Sequence, residues 1–255
     1  MSEEKKQMHI HLTSENKAKY VFVPGSPERC KRIAEHMDDS RFVAQHREYT
    51  TYEGYLEGEK VLVCSTGIGG PSAAIAMEEL YKIGVDTFIR IGTCASTSTK
   101  VSKGDVVIPN GIVRMEGTGT HYLPIEFPAV PTYSLMRHLE DAAISKGFEP
   151  KIGVNITKDS FYTQTEPESK PVAYDLINRW NAYVAGGAES TSMESATLFT
   201  VAASLGARVA TVLVSATDIN TTNRTSGYPI DVEGRAIEVG IEGMRNVIKA
   251  DKQKQ

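Results

Sequence analysis

Four short runs in this chain are largely apolar: YVFV (20–23), VLVCS (61–65), FIRI (88–91, within VDTFIRIGT, 85–93) and ARVATVLVSA (207–216). A strand with one face in water alternates polar and apolar side chains, whereas a continuous run needs cover on both faces. Segments of helical spacing lie between these runs. They fall at about 27–37, 72–84, 133–147, 171–183, 193–205 and 232–249. Strands alternating with helices in this way imply an α/β fold, with helices on both sides of a central mixed β-sheet. Further strands are expected within 41–65, in GDVVIPNGIVRM (104–115) and at 151–157. There is no internal repeat, low-complexity tract or linker, so 1–255 reads as one α/β/α sandwich domain. The ends, about 1–7 and 250–255, read as flexible and solvated. Loops at about 117–131, 160–171 and 217–231 are long for such a domain, and long loops in compact domains are often functional.

Composition excludes several classes of function. The formal net charge is −4, and no basic stripe alternates with aromatics, which argues against a nucleic-acid partner. The three cysteines (Cys30, Cys64, Cys94) are scattered, with no CxxC, which fits a reducing compartment. The start MSEEKKQMHIHL lacks an apolar secretory segment, and no run of about 18 apolar residues could span a membrane. A cytoplasmic location with no membrane partner is therefore expected.

Three strand ends carry the chemistry. In VPGSPER (23–29) a strand stops at Gly25 and Ser26-Pro27 opens a helix, whose free N–H groups favour an anion; Arg29 adds a bidentate donor. A capped helix with a surface arginine is the plainer reading. In FIRIGT (88–93), Arg90 lies within an apolar strand. A buried guanidinium needs an anion, either a ligand or a carboxylate of the protein. Gly92 admits a ligand near the backbone, and Thr93 adds a hydroxyl. In TSMESATLFTVAASLG (191–206), Glu194 opens an apolar helix, where a carboxylate suits the helix dipole and could also accept from sugar hydroxyls. The glycines of TGIGGP (66–71) fit neither G-x-G-x-x-G nor a Walker loop, and His9-x-His11 has no further metal ligands nearby.

VPGSPER, HREYTTYEG (46–54), VLVCSTGIGGPSAAIAMEEL (61–80), FIRIGT, EFPAV (126–130), DSFY (159–162) and SMESATLFT (192–200) together resemble the nucleoside phosphorylase family, and its uridine-cleaving branch most closely. The resemblance implies phosphate-dependent, reversible cleavage of the N-glycosidic bond of uridine or deoxyuridine. The products are uracil and a (deoxy)ribose 1-phosphate. It implies a phosphate site of Gly25, Arg29, Arg90 and Thr93, with Arg47 reaching in from a neighbouring subunit. It implies a ribose site of Thr93, Met193 and Glu194, with His9 crossing the interface to the 5′-hydroxyl. Phe161 would pack on sugar and base, and Cys94 and Ala95 lie in the base-binding stretch. Glu48, Ile68 and Ser72 match positions where some relatives hold a potassium ion between subunits. The resemblance further implies inorganic phosphate as a co-substrate, no requirement for a redox cofactor, and a homo-oligomer, a hexamer of three dimers with shared sites.

The base-binding end departs from the pattern. A Gln and an Arg, two apart, are expected after Phe-Tyr; here FYTQTEP puts Gln164 one residue early and Pro167 where the Arg belongs. Ala216 replaces a second expected Arg, and Ser192 stands where Glu is frequent. Lys158, three residues before Phe161, is the candidate substitute, donating to a base carbonyl as the bond breaks; a solvated strand-end lysine is the plainer reading. The rival functions are a purine nucleoside phosphorylase with an unusual base pocket, a hydrolase of the same fold, and a non-catalytic nucleoside binder.

Overall fold

A computed structural model describes residues 6–218 and 230–254. Among the described residues there are nine strands: β1 (Tyr20–Phe22), β2 (Asp38–His46), β3 (Tyr49–Leu56), β4 (Glu59–Cys64), β5 (Thr87–Ser96), β6 (Val106–Met115), β7 (Lys151–Lys158), β8 (Ala188–Ser192) and β9 (Arg208–Ser215). The helices are α1 (Pro27–Ala34), α2 (Gly70–Lys82), α3 (Tyr133–Ser145), α4 (Tyr162–Thr165), α5 (Ala173–Ala185), α6 (Ser195–Leu205) and α7 (Ile230–Lys252). The strands form one sheet in the order β2-β3-β4-β1-β5-β8-β7-β6-β9, and β9 also pairs with β5. The β5-β8-β7-β6-β9 part therefore closes on itself. β5 joins both halves, which is why its apolar run has so few breaks.

The sheet is mixed. β1 is parallel to β4 and β5, β5 to β9, and β7 to β6 and β8. The pairs β2–β3, β3–β4, β5–β8 and β6–β9 are antiparallel. Successive side chains of β5 point to opposite faces, as the strand period requires. Phe88 packs with α2 and α6 residues such as Met77 and Phe199. Ile89 and Ile91 pack with Ile33 of α1, Leu139 of α3 and Met244 of α7. This is the expected sandwich of helices on both faces. Arg90 shares the Phe88 side, which aims it at the start of α6.

β8 is not legible as a strand, because Ala188 is the one apolar residue in AESTS. It is nevertheless buried at Ser190, Thr191 and Ser192. Side-chain bonds replace apolar packing there: the Asn155 amide bonds the hydroxyls of Ser190 and Ser192 (2.9 Å each), and Thr191 donates to the Ile156 carbonyl.

The tail also differs from the solvated end read from its composition. α7 runs to Lys252, and Asp251 is held by a two-pronged contact from Arg208 (2.9 and 2.5 Å) and by the Tyr20 hydroxyl (3.0 Å). Burial works against the Asp251 carboxylate, but the hydrogen bonds and charge of Arg208 outweigh it and hold its pKa down at about 2. An unfolded aspartate titrates near pH 3.9. The contact therefore contributes fully above about pH 4 and is lost as pH falls towards about 2. Asp251→Ala is expected to lower the unfolding free energy by roughly 2 kcal/mol at neutral pH. In urea titrations the gap to wild type should narrow as pH falls below about 4; a gap constant with pH would refute the assignment.

Candidate functional site

The site assembles where β1, β4 and β5 end. Two backbone bonds join the chain after β1 to the chain after β4: Thr66 N–H to Pro24 (2.8 Å) and Gly67 N–H to Gly25 (3.0 Å). Arg90, the fourth of the ten residues of β5, is 4% exposed. Its Nη2 donates to Glu194 Oε2, and Glu194 Oε1 accepts from the Gly69 N–H (3.0 Å) just before α2. Glu194 is the residue preceding α6 rather than part of its first turn. The carboxylate thus ties the starts of α2 and α6 to the end of β5. The Nε and Nη1 atoms of Arg90 are buried without a hydrogen-bond partner among the described residues. Both readings of Arg90 therefore meet in one side chain: a protein carboxylate takes one donor, and two remain for another acceptor. Burial pushes the guanidinium below its usual pKa, the Glu194 charge opposes this, and Arg29 adds to the downward push.

Glycines leave the room this arrangement needs. A Cβ at Gly92 would lie 2.9 Å from Leu213 Cδ2 and 3.0 Å from Arg90 Nη2. A Cβ at Gly25 would lie 3.8 Å from Arg90 Nη1, on the side of an unpartnered donor. Thr93 follows in the same strand, half-buried.

Arg29 lies close by but is differently engaged from the sequence expectation of a donor open to an anion. Its Nε and Nη2 contact Glu233 of α7 (3.3 and 2.5 Å), and Nη1 reaches the Ile91 carbonyl (3.4 Å). Arg32 shares the same carboxylate (2.6 Å). Glu233 comes from the far end of the chain, so nothing near Arg29 in sequence announces it.

Beyond Thr93, the stretch that the resemblance assigns to the base runs through Cys94 (buried) and Ala95 (half-buried). Burial pushes the Cys94 thiol up to about 12, against the pull of Ser215, Lys158 and Arg90. Lys158 is not a solvated strand-end lysine: it is 4% exposed, and its Nζ donates to Thr191 Oγ1 (2.9 Å). A cleft of about 410 Å³ opens past the ends of β6 and β7, lined by Arg114, Glu116, Lys158, Asp159, Ser160 and Arg179 among others. Arg90 and Glu194 do not line it, so Lys158 is the residue that connects it to the strand-end site. Gln164 sits on α4, half-buried, and Phe161 just before it is 41% exposed, with its ring edge-on to Tyr162. Met193 is half-buried, and its N–H donates to Glu194 Oε2 (3.3 Å).

Two residues read as reaching a neighbouring subunit lie apart from Arg90 in this chain. Arg47 is exposed at the β2–β3 turn, has φ +53°, and makes no hydrogen bond or ion pair among the described residues. His9 is held by Glu79 of α2, which accepts from the His9 and Ile10 N–H groups (both 2.9 Å) and meets His9 Nδ1 at 2.7 Å. Glu79 was not legible as a site residue. It is one of two adjacent glutamates in a helix, and its target lies 70 residues away. Glu48, Ile68 and Ser72 do converge. A Cβ at Gly67 (φ +71°) would lie 2.8 Å from Glu48 Cγ and 3.3 Å from Ser72 Oγ, and Ser72 Oγ donates to the Ile68 carbonyl (3.3 Å). A carboxylate, a carbonyl and a hydroxyl are hard oxygen donors suited to an alkali or alkaline-earth cation. Among the described residues no group of three or more His, Cys, Asp or Glu could hold a metal ion.

The sequence profile described as "Phosphorylase superfamily" matches residues 19–243. The chain belongs to this superfamily. It is 39% identical to the uridine phosphorylase of Treponema pallidum (strain Nichols), over 96% of this chain and 95% of the relative. It is 38% identical to the uridine phosphorylase of Escherichia coli (strain K12), over 94% and 97% respectively. A guanosine phosphorylase of Halorubrum lacusprofundi is 36% identical over 81% of each chain. The superfamily match spans the strand ends that carry Arg29, Arg90 and Glu194, and the long loops at 117–131 and 160–171. The third long loop falls, from residue 219 on, outside the described residues. Among the described residues no helix is long and apolar enough to cross a membrane.

Proposed function

We propose that the protein is a uridine phosphorylase, a pentosyltransferase that cleaves uridine with inorganic phosphate to uracil and ribose 1-phosphate. The observation that carries this reading is Arg90, buried at a strand end with two N–H groups unpartnered and a third on Glu194. A dianion offers the acceptors that such a guanidinium lacks. Gly25 lies on the side of the unpartnered Nη1, and the charge of Arg29 acts on the same guanidinium. The near full-length match to relatives named uridine phosphorylases supplies the substrate.

In this reading a phosphate oxygen, oriented by Arg90 and Arg29, attacks the anomeric carbon from the face opposite the base. The C1′–O bond forms, the C1′–N1 bond breaks, and its electron pair leaves with uracil, which then takes a proton from solvent. Glu194 accepts from ribose hydroxyls and, by holding Arg90, fixes sugar and phosphate in one frame. Positioning of this kind lowers the barrier by removing entropy that would otherwise be lost in the encounter. Bonding to an incoming phosphate competes with the Glu233 contact on Arg29.

The exposed, strained and unpartnered Arg47 fits a residue that completes the site of a second copy, as does His9. We read the assembly as dimer-based and hexameric, acting in pyrimidine salvage in the cytoplasm, where three free buried thiols stay reduced. Sedimentation as a monomer would exclude shared sites. Glu48, Ile68 and Ser72 would hold a potassium ion at that interface. One chain offers three oxygens, short of the about six or more that a hard cation usually takes, and a two-fold mate would supply as many again.

Base release should be measured from uridine and from inosine, with and without phosphate. Uracil release that requires phosphate is the expected result. Hypoxanthine release instead would assign the chain to purines, in line with its guanosine phosphorylase relative. Release without phosphate would make it a hydrolase, and the role given to Arg90 would be wrong.

A further inference from the structure

We propose that Lys158, oriented by Thr191, is the group that receives the negative charge developing on the departing base, and so restricts the enzyme to bases presenting a carbonyl oxygen. This rests on the phosphorolytic reading above. Lys158 ends β7 at 4% exposure, and its Nζ is 2.9 Å from Thr191 Oγ1. The Thr191 hydroxyl proton is directed to the Ile156 carbonyl (2.9 Å). Its lone pair therefore faces the lysine, and the ammonium is held as a donor in a fixed direction.

Thr191 is paired with Ala95 in the sheet, two residues past Thr93. The ammonium thus sits where β5, β7 and β8 meet. A nucleoside whose sugar lies between Thr93 and Glu194 projects its base past Cys94 and Ala95, towards Lys158. The positive charges of Lys158 and Arg90 both act on the Cys94 thiol. The cleft against Lys158 gives the position an open side. The loop at 160–171 contains no arginine, which leaves Lys158 as the buried cation on this side.

As the C1′–N1 bond breaks, its electron pair spreads onto the base carbonyls. A preorganised donor aimed there is worth about 10²–10³-fold in rate. An ammonium has only donors, so it favours a carbonyl oxygen and disfavours an exocyclic amino group. Uridine and inosine satisfy this, and adenosine does not.

The test compares uridine with 5-fluorouridine, whose base is the more acidic and so needs less help to leave. Lys158→Met should lower kcat for uridine about 100-fold, the 5-fluorouridine rate several-fold less, and the KM for phosphate little. Thr191→Val should give a smaller loss with the same dependence on the leaving group, and provides the test if Lys158→Met fails to fold. A structural role would slow both substrates equally, and equal losses overturn the proposal, as would rapid turnover of adenosine by the wild type. Wild-type enzyme that releases no uracil with phosphate would instead overturn the parent reading.

Discussion

Arg90→Met will abolish measurable phosphorolysis, with kcat/KM for uridine falling by about 10³-fold or more. Methionine fills much of the same volume, so the loss comes from the missing donors and not from a cavity. Two of those donors are the buried, unpartnered Nε and Nη1. Without them phosphate has no fixed orientation opposite the base. Arg29 alone does not make up the loss, because its fork is shared with Glu233. The variant should also lose stability, since Glu194, 5% exposed, is left among the described residues with the Gly69 and Met193 N–H groups to face it. Removing one partner of a buried pair typically costs about 3–5 kcal/mol. Activity and melting temperature are therefore measured together. A folded variant retaining a tenth of the wild-type rate would remove Arg90 from the phosphate site.

Much of this site was legible before any coordinates, and the reason is local. Arg90 stands out because a guanidinium interrupts an apolar run, and Gly25 and Gly92 because they end strands. What was not legible is who meets whom across the fold. Glu194 reads as a helix-start carboxylate suited to the dipole; its place is beside Arg90, 104 residues away in sequence. Glu233 lies 204 residues from the arginine it engages. No spacing rule reaches across such separations, because the contacts are made by the sheet order that brings β5 to the centre. β8 escaped for a different reason: its burial is balanced by hydroxyl and amide bonds to β7, and apolar periodicity does not register them. The same polar strand supplies Thr191, so the residue that orients Lys158 was hidden with it. The tail was misread because Asp251 and its lysine neighbours look solvated until Arg208 and Tyr20 are seen opposite them.

The Arg90–Glu194 pair also decides what the fold gives up for the site. Glu194→Leu should destabilise the protein by about 3–5 kcal/mol, since Arg90 then lies buried at 4% exposure with no carboxylate. At this chain length that is a fall in melting temperature of roughly 2–4 °C for each kcal/mol, compared at matched protein concentration. In the double variant, Arg90→Met with Glu194→Leu, no charge is left unpaired. Its loss should therefore be well below the sum of the two single losses, as expected for residues in direct contact. Recovery should stay incomplete, because the Gly69 N–H bonded by Glu194 at 3.0 Å loses its acceptor. An unsatisfied buried donor costs about 1–3 kcal/mol. All three variants should lack phosphorolysis. Near-normal stability without activity in the double variant would mean that an apolar pair serves the fold nearly as well, so that the charges are kept for the reaction. Strictly additive losses would mean that the two side chains do not act as a pair, and the link from ribose through Glu194 to Arg90 and phosphate would be broken.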